Sequence, residues 1–354
     1  MTDKETVTEL RLSQFDYELP AELIAQTPLE QRDASRMMVV DRKSHSITHQ
    51  TIRDLPRLMN SGDLLVVNNT RVIPARIFAT KKNSGGRVEL LLLHRDPSGI
   101  WTCLAKPSKS LLDGVALQLA TKDGVDLVDV EVIENRGEGE VAIRFAENGR
   151  LDLDLIGVVP LPPYIRAPLA TAERYQTTYA TVAGSAAAPT AGLHITDELR
   201  SELQARGVGW AEVTLHIGLD TFRPVTVEVV ADHRIHREWC SVPAVTAAAI
   251  HSTRARGGRV VAVGTTSARS LEMWGNQSPG GASGGFEGWA DIFITPGYQW
   301  MVVDAMLTNF HLPKSTLLMM ISSFAGAERI RGAYKTAIEE RYRFFSFGDA
   351  MLLV

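Results

Sequence analysis

A series of short β-rich runs, beginning at Asp63, constrains the fold of this chain more than any other feature of its sequence. The runs are DLLVVNN, RVIPARIFATKK, GRVELLLLHR, WTCLAKP, VALQLA, LVDVEVIEN and VAIRFAEN, with turn residues between them. Such spacing is typical of β-hairpins and leaves no room for a long helix. We therefore predict a small all-β barrel over residues 70–155, closed by the proline-rich stretch GVVPLPPYI.

The sequence on either side of this unit alternates between helical and strand patterns. LPAELIAQT is interpreted as a helix, and TDELRSELQARG has Thr196 and Gly207 suited to its two ends. AEVTLHIGL and RVVAVG are typical of buried strands, and strands separated by helices indicate an α/β layer. The predicted fold class is α/β, with a larger α/β barrel-like domain (residues 1–69 and 156–354) interrupted by the small all-β barrel domain (residues 70–155).

Composition excludes several classes of protein. The 354 residues carry a formal net charge of −4, which argues against a protein that coats nucleic acid through a global positive field but allows a local basic face. The two cysteines, Cys103 and Cys240, are too few for a disulfide scaffold or a four-thiolate zinc site. The N-terminal MTDKETVTEL is unlike a signal peptide. No apolar run approaches the roughly 20 residues of a membrane span, so we expect a cytoplasmic protein without membrane contact.

The stretch RVVAVGTTSARSLE predicts a strand, a tight turn and a helix. Free backbone N–H groups at a helix N-terminus bind anionic groups. Here Gly264 allows close approach, and Thr265, Thr266 and Ser267 add hydroxyl donors. The simpler interpretation is that the hydroxyls only cap the helix, and the local pattern by itself favours it. The turn matches neither a Walker loop nor a GxGxxG fingerprint, so a dinucleotide fold is unsupported.

The first half of the stretch TNFHLPKSTLLMMIS is polar, and its second half is apolar and predicted to be a helix. Its proline suits the first helical turn, and Ser315 or Thr316 can cap the helix. His311 would lie just before the positive end of that helix, where a neutral imidazole that accepts a proton is favoured. A purely structural, hydrogen-bonded histidine is an equally good interpretation. Asn309 and Lys314 complete the polar set.

Four more histidines, His194, His216, His233 and His236, lie in the α/β part of the chain. An H-x-x-H pair suggests zinc, but the H-E-x-x-H spacing and carboxylate-rich loops are missing. The polar lining of a pocket for an organic substrate is therefore the favoured interpretation, with no metal predicted.

Basic residues alternate with aromatic ones in the C-terminal stretch RYRFFSF, where Arg341 and Arg343 flank a tyrosine. Unstacked RNA bases rest on aromatic and guanidinium planes, although core phenylalanines beside a solvated basic face are the simpler interpretation. A protein of net charge −4 that holds RNA must place its basic residues on one face. We expect Lys106 and Lys109, on the predicted barrel, to join Arg341 and Arg343 there.

Taken together, the motifs resemble a known family. GSAAAPTAGLHIT, TLHIGLDTFRPV, HRIHREW, VGTTSARSLE, DIFITPGYQWMVVDAMLTNFHLPKSTLLMMISSFAG and YRFFSFGDAMLL occur in one order, after FDYELPAELIAQTPLEQRDASRMMVV, DLLVVNNTRVIPARI and LPPYI. This set closely resembles the S-adenosylmethionine:tRNA ribosyltransferase-isomerases of queuosine biosynthesis, from about Phe15 to the C-terminus. The glycine-rich stretch 275–288, interpreted as a mobile loop, looks longer than the family pattern requires.

The resemblance implies an α/β domain interrupted by a small β-barrel. It also implies transfer of the ribosyl group of S-adenosylmethionine to 7-aminomethyl-7-deazaguanine at the tRNA wobble position, where the group rearranges to give epoxyqueuosine. Adenine and methionine are released, S-adenosylmethionine is a consumed substrate, and no cofactor or protein partner is implied. Two alternatives stay open, a metal-dependent hydrolase built on the histidine cluster and a non-catalytic RNA-binding module.

These arguments assign candidate residues to three roles. The catalytic candidates are His311, His194, His216 and His236. The substrate-binding candidates are Gly264, Thr265, Thr266, Ser267, Arg269, Asn309, Lys314, Ser315 and Thr316. The tRNA-binding candidates are Lys106, Lys109, Arg341 and Arg343.

Overall fold

A computed structural model of the chain describes residues 9–122, 124, 127–146, 152–218, 225–277 and 284–354. Within these ranges no helix is both long and apolar enough to cross a membrane.

The described strands and helices alternate irregularly along the chain. The strands are β1 (Arg36–Val40), β2 (Ile47–Thr51), β3 (Leu64–Asn68), β4 (Thr70–Val72), β5 (Arg76–Lys81), β6 (Arg87–Arg95), β7 (Trp101–Lys106), β8 (Ala116–Ala120), β9 (Leu127–Gly137), β10 (Glu140–Phe145), β11 (Gly157–Val158), β12 (Val182–Ser185), β13 (Gly209–Leu215), β14 (Glu238–Val242), β15 (Val260–Val263), β16 (Phe286–Ala290), β17 (Ala305–Asn309) and β18 (Ala350–Leu353). The helices are α1 (Leu55–Leu58), α2 (Leu153–Ile156), α3 (Asp197–Ala205), α4 (Ala244–Ala255), α5 (Thr265–Gln277), α6 (Thr316–Ala325) and α7 (Ala327–Glu339), with short 3-10 turns between some elements.

A nine-stranded mixed sheet forms the larger part of the molecule, in the order β16-β14-β13-β3-β15-β17-β18-β1-β2. Its four central strands, β13, β3, β15 and β17, run parallel to one another. Every residue of β3 and β15 is buried, and apart from Asn68 at the end of β3 both strands are apolar, as expected for strands covered on both faces. Their carboxyl ends meet at one edge, which we call the carboxyl edge and which is where open α/β sheets bind ligands.

The inserted barrel closes on itself through six antiparallel strands. The order is β5-β6-β7-β10-β9-β8, and a further pairing of β5 with β8 completes the ring. Alternate side chains of these strands point inward to a separate apolar core that includes Leu90, Leu117 and Val141. The predicted α/β fold with an inserted all-β barrel is confirmed, while the proposed domain boundaries, 70–155 for the barrel and 1–69 with 156–354 for the rest, stay a prediction.

Helix caps follow the sequence in two cases. The Thr196 side chain accepts a hydrogen bond from the Leu199 backbone at the start of α3, as predicted. At α6 the cap is Ser315, whose hydroxyl accepts from the Leu318 backbone. The proline of HLPKST therefore lies before the helix and not in its first turn, which corrects that prediction.

Two other sequence predictions need correction. The predicted helix from Leu19 to Thr27 is only a 3-10 turn, Ala21–Leu23, because the chain beyond it is extended and pairs with Phe344. Residues 278–283 of the glycine-rich stretch lie outside the described residues. The ends of that stretch are regular structure, since α5 continues to Gln277 and β16 begins at Phe286.

The fully buried carboxylate of Glu272 anchors the segment that leads into β17. It accepts backbone hydrogen bonds of 2.9 Å from Met301, Val302 and Val303, and a 2.8 Å bond from the Tyr298 hydroxyl. Charged acceptors make the stronger hydrogen bonds of proteins. One helix side chain thus satisfies three backbone donors of an otherwise irregular loop.

We predict that Glu272→Ala lowers the free energy of unfolding by about 3–5 kcal/mol, because it leaves several buried donors without an acceptor. Denaturant unfolding followed by circular dichroism measures the change. Glu202→Ala is the control, since Glu202 is an exposed glutamate of α3 and should change stability by less than about 0.5 kcal/mol. Equal midpoints for the two variants would contradict the anchoring role.

Candidate active site

A cleft opens at the carboxyl edge, above the ends of β15 and β17. It holds about 590 Å³ of empty space, counted to its open mouth. The predicted residues Gly264, Thr265, Thr266, Asn309 and His311 all line it. The structure therefore brings together two stretches that the sequence keeps more than 40 residues apart.

His311 is buried at the wall of the cleft and held at three points. One ring nitrogen, Nε2, lies 2.8 Å from the Thr308 hydroxyl. The backbone N–H donates to the Tyr334 hydroxyl at 2.7 Å, and the Tyr17 hydroxyl donates to the His311 carbonyl. Burial lowers the pKa of His311 to about 3, so its imidazole is neutral at physiological pH.

Asn309, at the end of β17, connects the cleft to His194. Its side-chain nitrogen lies 3.3 Å from His194 Nε2 and donates to the Phe345 carbonyl, while its oxygen accepts from the Thr190 hydroxyl at 3.1 Å. Burial lowers the pKa of His194 to about 4. His194 thus lies behind Asn309 and orients it from beneath the cleft.

His216 follows β13 and lies in a neighbouring part of the same edge. Its Nδ1 is 2.8 Å from the Thr70 hydroxyl, and its ring stacks on Trp239 at 5.1 Å between centroids. The Cε1 and Nε2 atoms of the ring lie close to Gly184, where an added Cβ would come within 2.7 Å of both. Burial is the main cause that lowers the pKa of His216 to about 4, with a smaller contribution from His94.

His236 belongs to an ionic network. Its Nε2 lies 3.4 Å from the Glu238 carboxylate, which also pairs with the Arg269 guanidinium. Burial opposes ionisation of Glu238, but His236 and Arg269 together hold the pKa of that carboxyl below its ordinary value. Arg269 also donates to the carbonyls of His236 and Ala290. Arg269 is a predicted substrate-binding residue, and in the structure its contacts hold β14 and β16 to α5.

Side chains at the start of α5 face either the cleft or the core. Gly264 has φ +89, and the Thr266 hydroxyl accepts from the Asn68 amide at 3.2 Å. The Ser267 hydroxyl instead donates to the Val263 carbonyl and is fully buried. Thr265 and Thr266 therefore remain candidates for an anion, whereas Ser267 points away from it.

The start of α6 is arranged differently. The Ser315 hydroxyl donates to the Leu312 carbonyl in addition to capping the helix, so its hydrogen-bonding capacity is used. Lys314 forms an ion pair with Asp16, with 2.8 Å between Nζ and the carboxylate, and Asp16 raises the pKa of that lysine. Thr316 lines a small side compartment next to Thr265 and Thr266. The α5 turn is thus the better candidate for an anion.

The four predicted tRNA-binding residues lie on two parts of the molecule. Lys106 and Lys109 are exposed at the end of β7. Arg341 is exposed after α7, but Arg343 is half-buried and donates to the Thr27 carbonyl. The phenylalanines of RYRFFSF are core residues, in agreement with the simpler interpretation of that stretch.

Several important side chains could not be found from motifs. Asn68, Thr70 and Thr308 are buried polar residues at the carboxyl ends of strands or directly after them, and they hold the turns and histidines of the site. Their position in DLLVVNNT and MLTNFH, where an apolar run turns polar, is the signal that could have identified them. Among the described residues, no three His, Cys, Asp or Glu side chains are grouped as a metal site.

The chain is similar to known proteins of one family. The family model described as "Queuosine biosynthesis protein" matches residues 12–353. S-adenosylmethionine:tRNA ribosyltransferase-isomerases of Acetivibrio thermocellus and Symbiobacterium thermophilum are 49% and 50% identical, over 97% and 98% of this chain and all of theirs. A crystal structure of S-adenosylmethionine tRNA ribosyltransferase from Thermotoga maritima is 38% identical, with a TM-score of 0.55 over 96% of this chain and all of that one. The chain therefore belongs to the family of S-adenosylmethionine:tRNA ribosyltransferase-isomerases.

Proposed function

We propose that this protein transfers and isomerises the ribosyl group of S-adenosylmethionine onto 7-aminomethyl-7-deazaguanine at the wobble position of tRNA. The product is epoxyqueuosine, and adenine and methionine are released. The names of the relatives give S-adenosylmethionine and tRNA as substrates. Because S-adenosylmethionine is consumed, the proposal needs no resident cofactor, and an enzyme that acts on tRNA is expected in the cytoplasm.

The observation that carries the proposal is the pair of neutral imidazoles along the carboxyl edge. A sulfonium acidifies the adjacent ribose carbon, so a positioned base can remove its proton and start the rearrangement. The departing adenine accepts a proton from a nearby donor. Burial lowers the pKa values of His311 and His216 to about 3 and 4, so both are unprotonated at neutral pH and keep a nitrogen lone pair, and an imidazolium formed at either position readily passes its proton on to the adenine.

The four histidine candidates differ in what they can reach. His311 and His216 each use one ring nitrogen for a threonine hydroxyl, and the other nitrogen has no hydrogen-bond partner among the described residues. His194 is enclosed behind Asn309, and His236 is bound to Glu238. We propose His311 and His216 as the groups that move protons and the other two as positioning residues.

The α-carboxylate of the methionine moiety fits the start of α5. The 13-residue helix begins at Thr265, directly after Gly264 and at the carboxyl edge. Its free N–H groups and the hydroxyl of Thr266 provide donors for one carboxylate. The sugar would then extend along the cleft toward His311, whose wall is shared with Thr265 and Thr266.

The overall reaction has a direct test. We predict that the protein, with S-adenosylmethionine and tRNA carrying the aminomethyl-deazaguanine, releases adenine and methionine with no added metal and after treatment with a chelator. Chromatography of the small products measures both. Formation of S-adenosylhomocysteine instead would show methyl transfer and exclude the proposal. RNA binding without any product would favour a non-catalytic RNA-binding module. Loss of activity after treatment with the chelator would favour a metal-dependent hydrolase.

We predict that His311→Ala lowers the single-turnover rate by roughly 10²–10⁴, which is the usual contribution of a general acid or base. The buried threonine and tyrosine partners make a folding check by circular dichroism necessary. His49→Ala is the matched control, since His49 is exposed on the edge strand β2. A folded His311→Ala protein with the wild-type rate would return His311 to a structural role.

We also predict that the basic residues at the end of β7 contribute to tRNA affinity. Lys106→Ala combined with Lys109→Ala should flatten the dependence of log K on log salt by about one unit or slightly more, because one or two phosphate contacts are lost. Binding of S-adenosylmethionine should be unchanged. Lys43→Ala with Lys335→Ala, two exposed lysines of the larger domain, is the control pair. An unchanged slope would exclude this part of the barrel as an RNA platform.

A further inference from the structure

A groove separates the inserted barrel from the edge strands of the large sheet. We call it the aromatic groove, and its rings come from His94 and Trp101 on the barrel and from His216, Trp239 and Trp289 on the sheet. It holds about 1110 Å³, compared with about 590 Å³ in the cleft at His311. The groove and the cleft are adjacent, because Ile217 lines both.

Strand register places the rings of the sheet side by side. Trp239 of β14 is directly opposite Trp289 of β16, so the two side chains share one face of the antiparallel pair. Trp239 in turn stacks on His216, with an interplanar angle of 19°. The rings of His216, Trp239 and Trp289 therefore follow one another across this edge of the sheet and form one aromatic surface, with a strand spacing of roughly 4.8 Å.

The outermost ring of this surface is open to solvent. Trp289 is 40% exposed, which is unusual for the largest apolar side chain when it lies in a concave site. On the barrel side, His94 meets it edge-on, at 5.4 Å between ring centroids. A half-exposed tryptophan in a groove beside a reaction site is the arrangement that stacks a ligand ring.

The charges around the groove favour a polyanion. Arg95 and Arg237 are exposed at its rim, and neither has a carboxylate partner among the described residues. The lining carboxylate, Glu238, is already bound to Arg269. A nucleobase attached to phosphates satisfies both the rings and the guanidinium groups, whereas the adenosyl group of S-adenosylmethionine carries no phosphate.

We propose that the aromatic groove binds an unstacked base of the RNA next to the nucleotide that reacts, with Trp289 stacking on the base and Arg95 and Arg237 contacting phosphates. This inference rests on the proposed function, since it assumes that the cleft receives the wobble base. RNA recognition uses such splayed bases on aromatic and guanidinium planes. The groove would thereby hold the anticodon loop open while the neighbouring base enters the cleft.

Binding of an unmodified anticodon stem-loop RNA tests the inference without any turnover. Trp289→Ala should raise the dissociation constant roughly 5- to 150-fold, the range for one lost base–aromatic stack, and Trp289→Phe should restore it to within about threefold. Val245→Ala is the control, since Val245 is an exposed apolar residue of α4 outside the groove and the barrel. Calorimetry with S-adenosylmethionine should give one dissociation constant for all four proteins.

Tryptophan fluorescence separates stacking from a purely structural role of Trp289. Addition of RNA should quench emission of the wild type, and Trp289→Phe should lose that quench while it still binds. A variant that only loosens the contact between β16 and the barrel would not produce this pattern.

The phosphate contacts have their own readout. Arg95→Gln with Arg237→Gln should flatten the salt dependence by about 1.4, the value for two contacts to a single strand.

Three outcomes would overturn the inference. RNA affinity that is unchanged in Trp289→Ala excludes stacking, and loss of S-adenosylmethionine binding instead assigns the groove to the adenine of that substrate. An RNA-induced quench that is the same in Trp289→Phe excludes contact with Trp289. Failure of the proposed function is distinguishable from failure of this inference. In that case RNA binding would still depend on Trp289, but no adenine or methionine would be formed.

Discussion

The side-chain amide of Asn68 holds together the segments from which the site is built. Its nitrogen donates to the Leu215 carbonyl and to the Thr266 hydroxyl, and its oxygen accepts from the backbones of Leu215 and Thr70. An amide has two donor hydrogens and an acceptor oxygen with two lone pairs, so this fully buried group is completely satisfied. A hydrophobic residue there would leave buried backbone groups of two strands unpaired.

The hydrogen bonds of Asn68 help to position several parts of the carboxyl edge. Thr70, fixed by Asn68, contacts His216, and Thr266 begins the helix that we propose to bind the carboxylate. The chain leaves the large sheet for the barrel just beyond Thr70, through β4 and into β5. The point at which the barrel is inserted is therefore also the point at which the site is fixed, so insertion and active-site geometry depend on the same hydrogen bonds.

Local patterns in the sequence predicted much of the fold, and contacts across long separations explain most of what they missed. The runs of hairpin spacing identify the barrel, and Thr196 marks a helix start, because both depend on neighbouring residues. The predicted helix at Leu19 failed because that segment pairs with Phe344, more than 300 residues away. Likewise, the ion pair of Arg269 could not be found from a motif, because its buried partner Glu238 lies on another element, and the role of Arg269 in substrate binding stays a prediction. The rings of Trp101, Trp239 and Trp289 come from three segments that share no motif.

The order of the strands fixes the order of the sites along the carboxyl edge. The aromatic groove lies at β13, β14 and β16, the cleft lies at β15 and β17, and Arg341 precedes β18 on the far side. From β16 to β18 there are six strand spacings, or roughly 29 Å. A rigid sheet can hold two sites in fixed relation over such a length, because each site lies directly at the ends of its strands. The barrel adds a second wall at the groove through His94, Arg95 and Trp101, next to β16 at the end of the large sheet. In our proposal an RNA loop uses that wall, whereas the site proposed for the small sulfonium compound lies at the central strands.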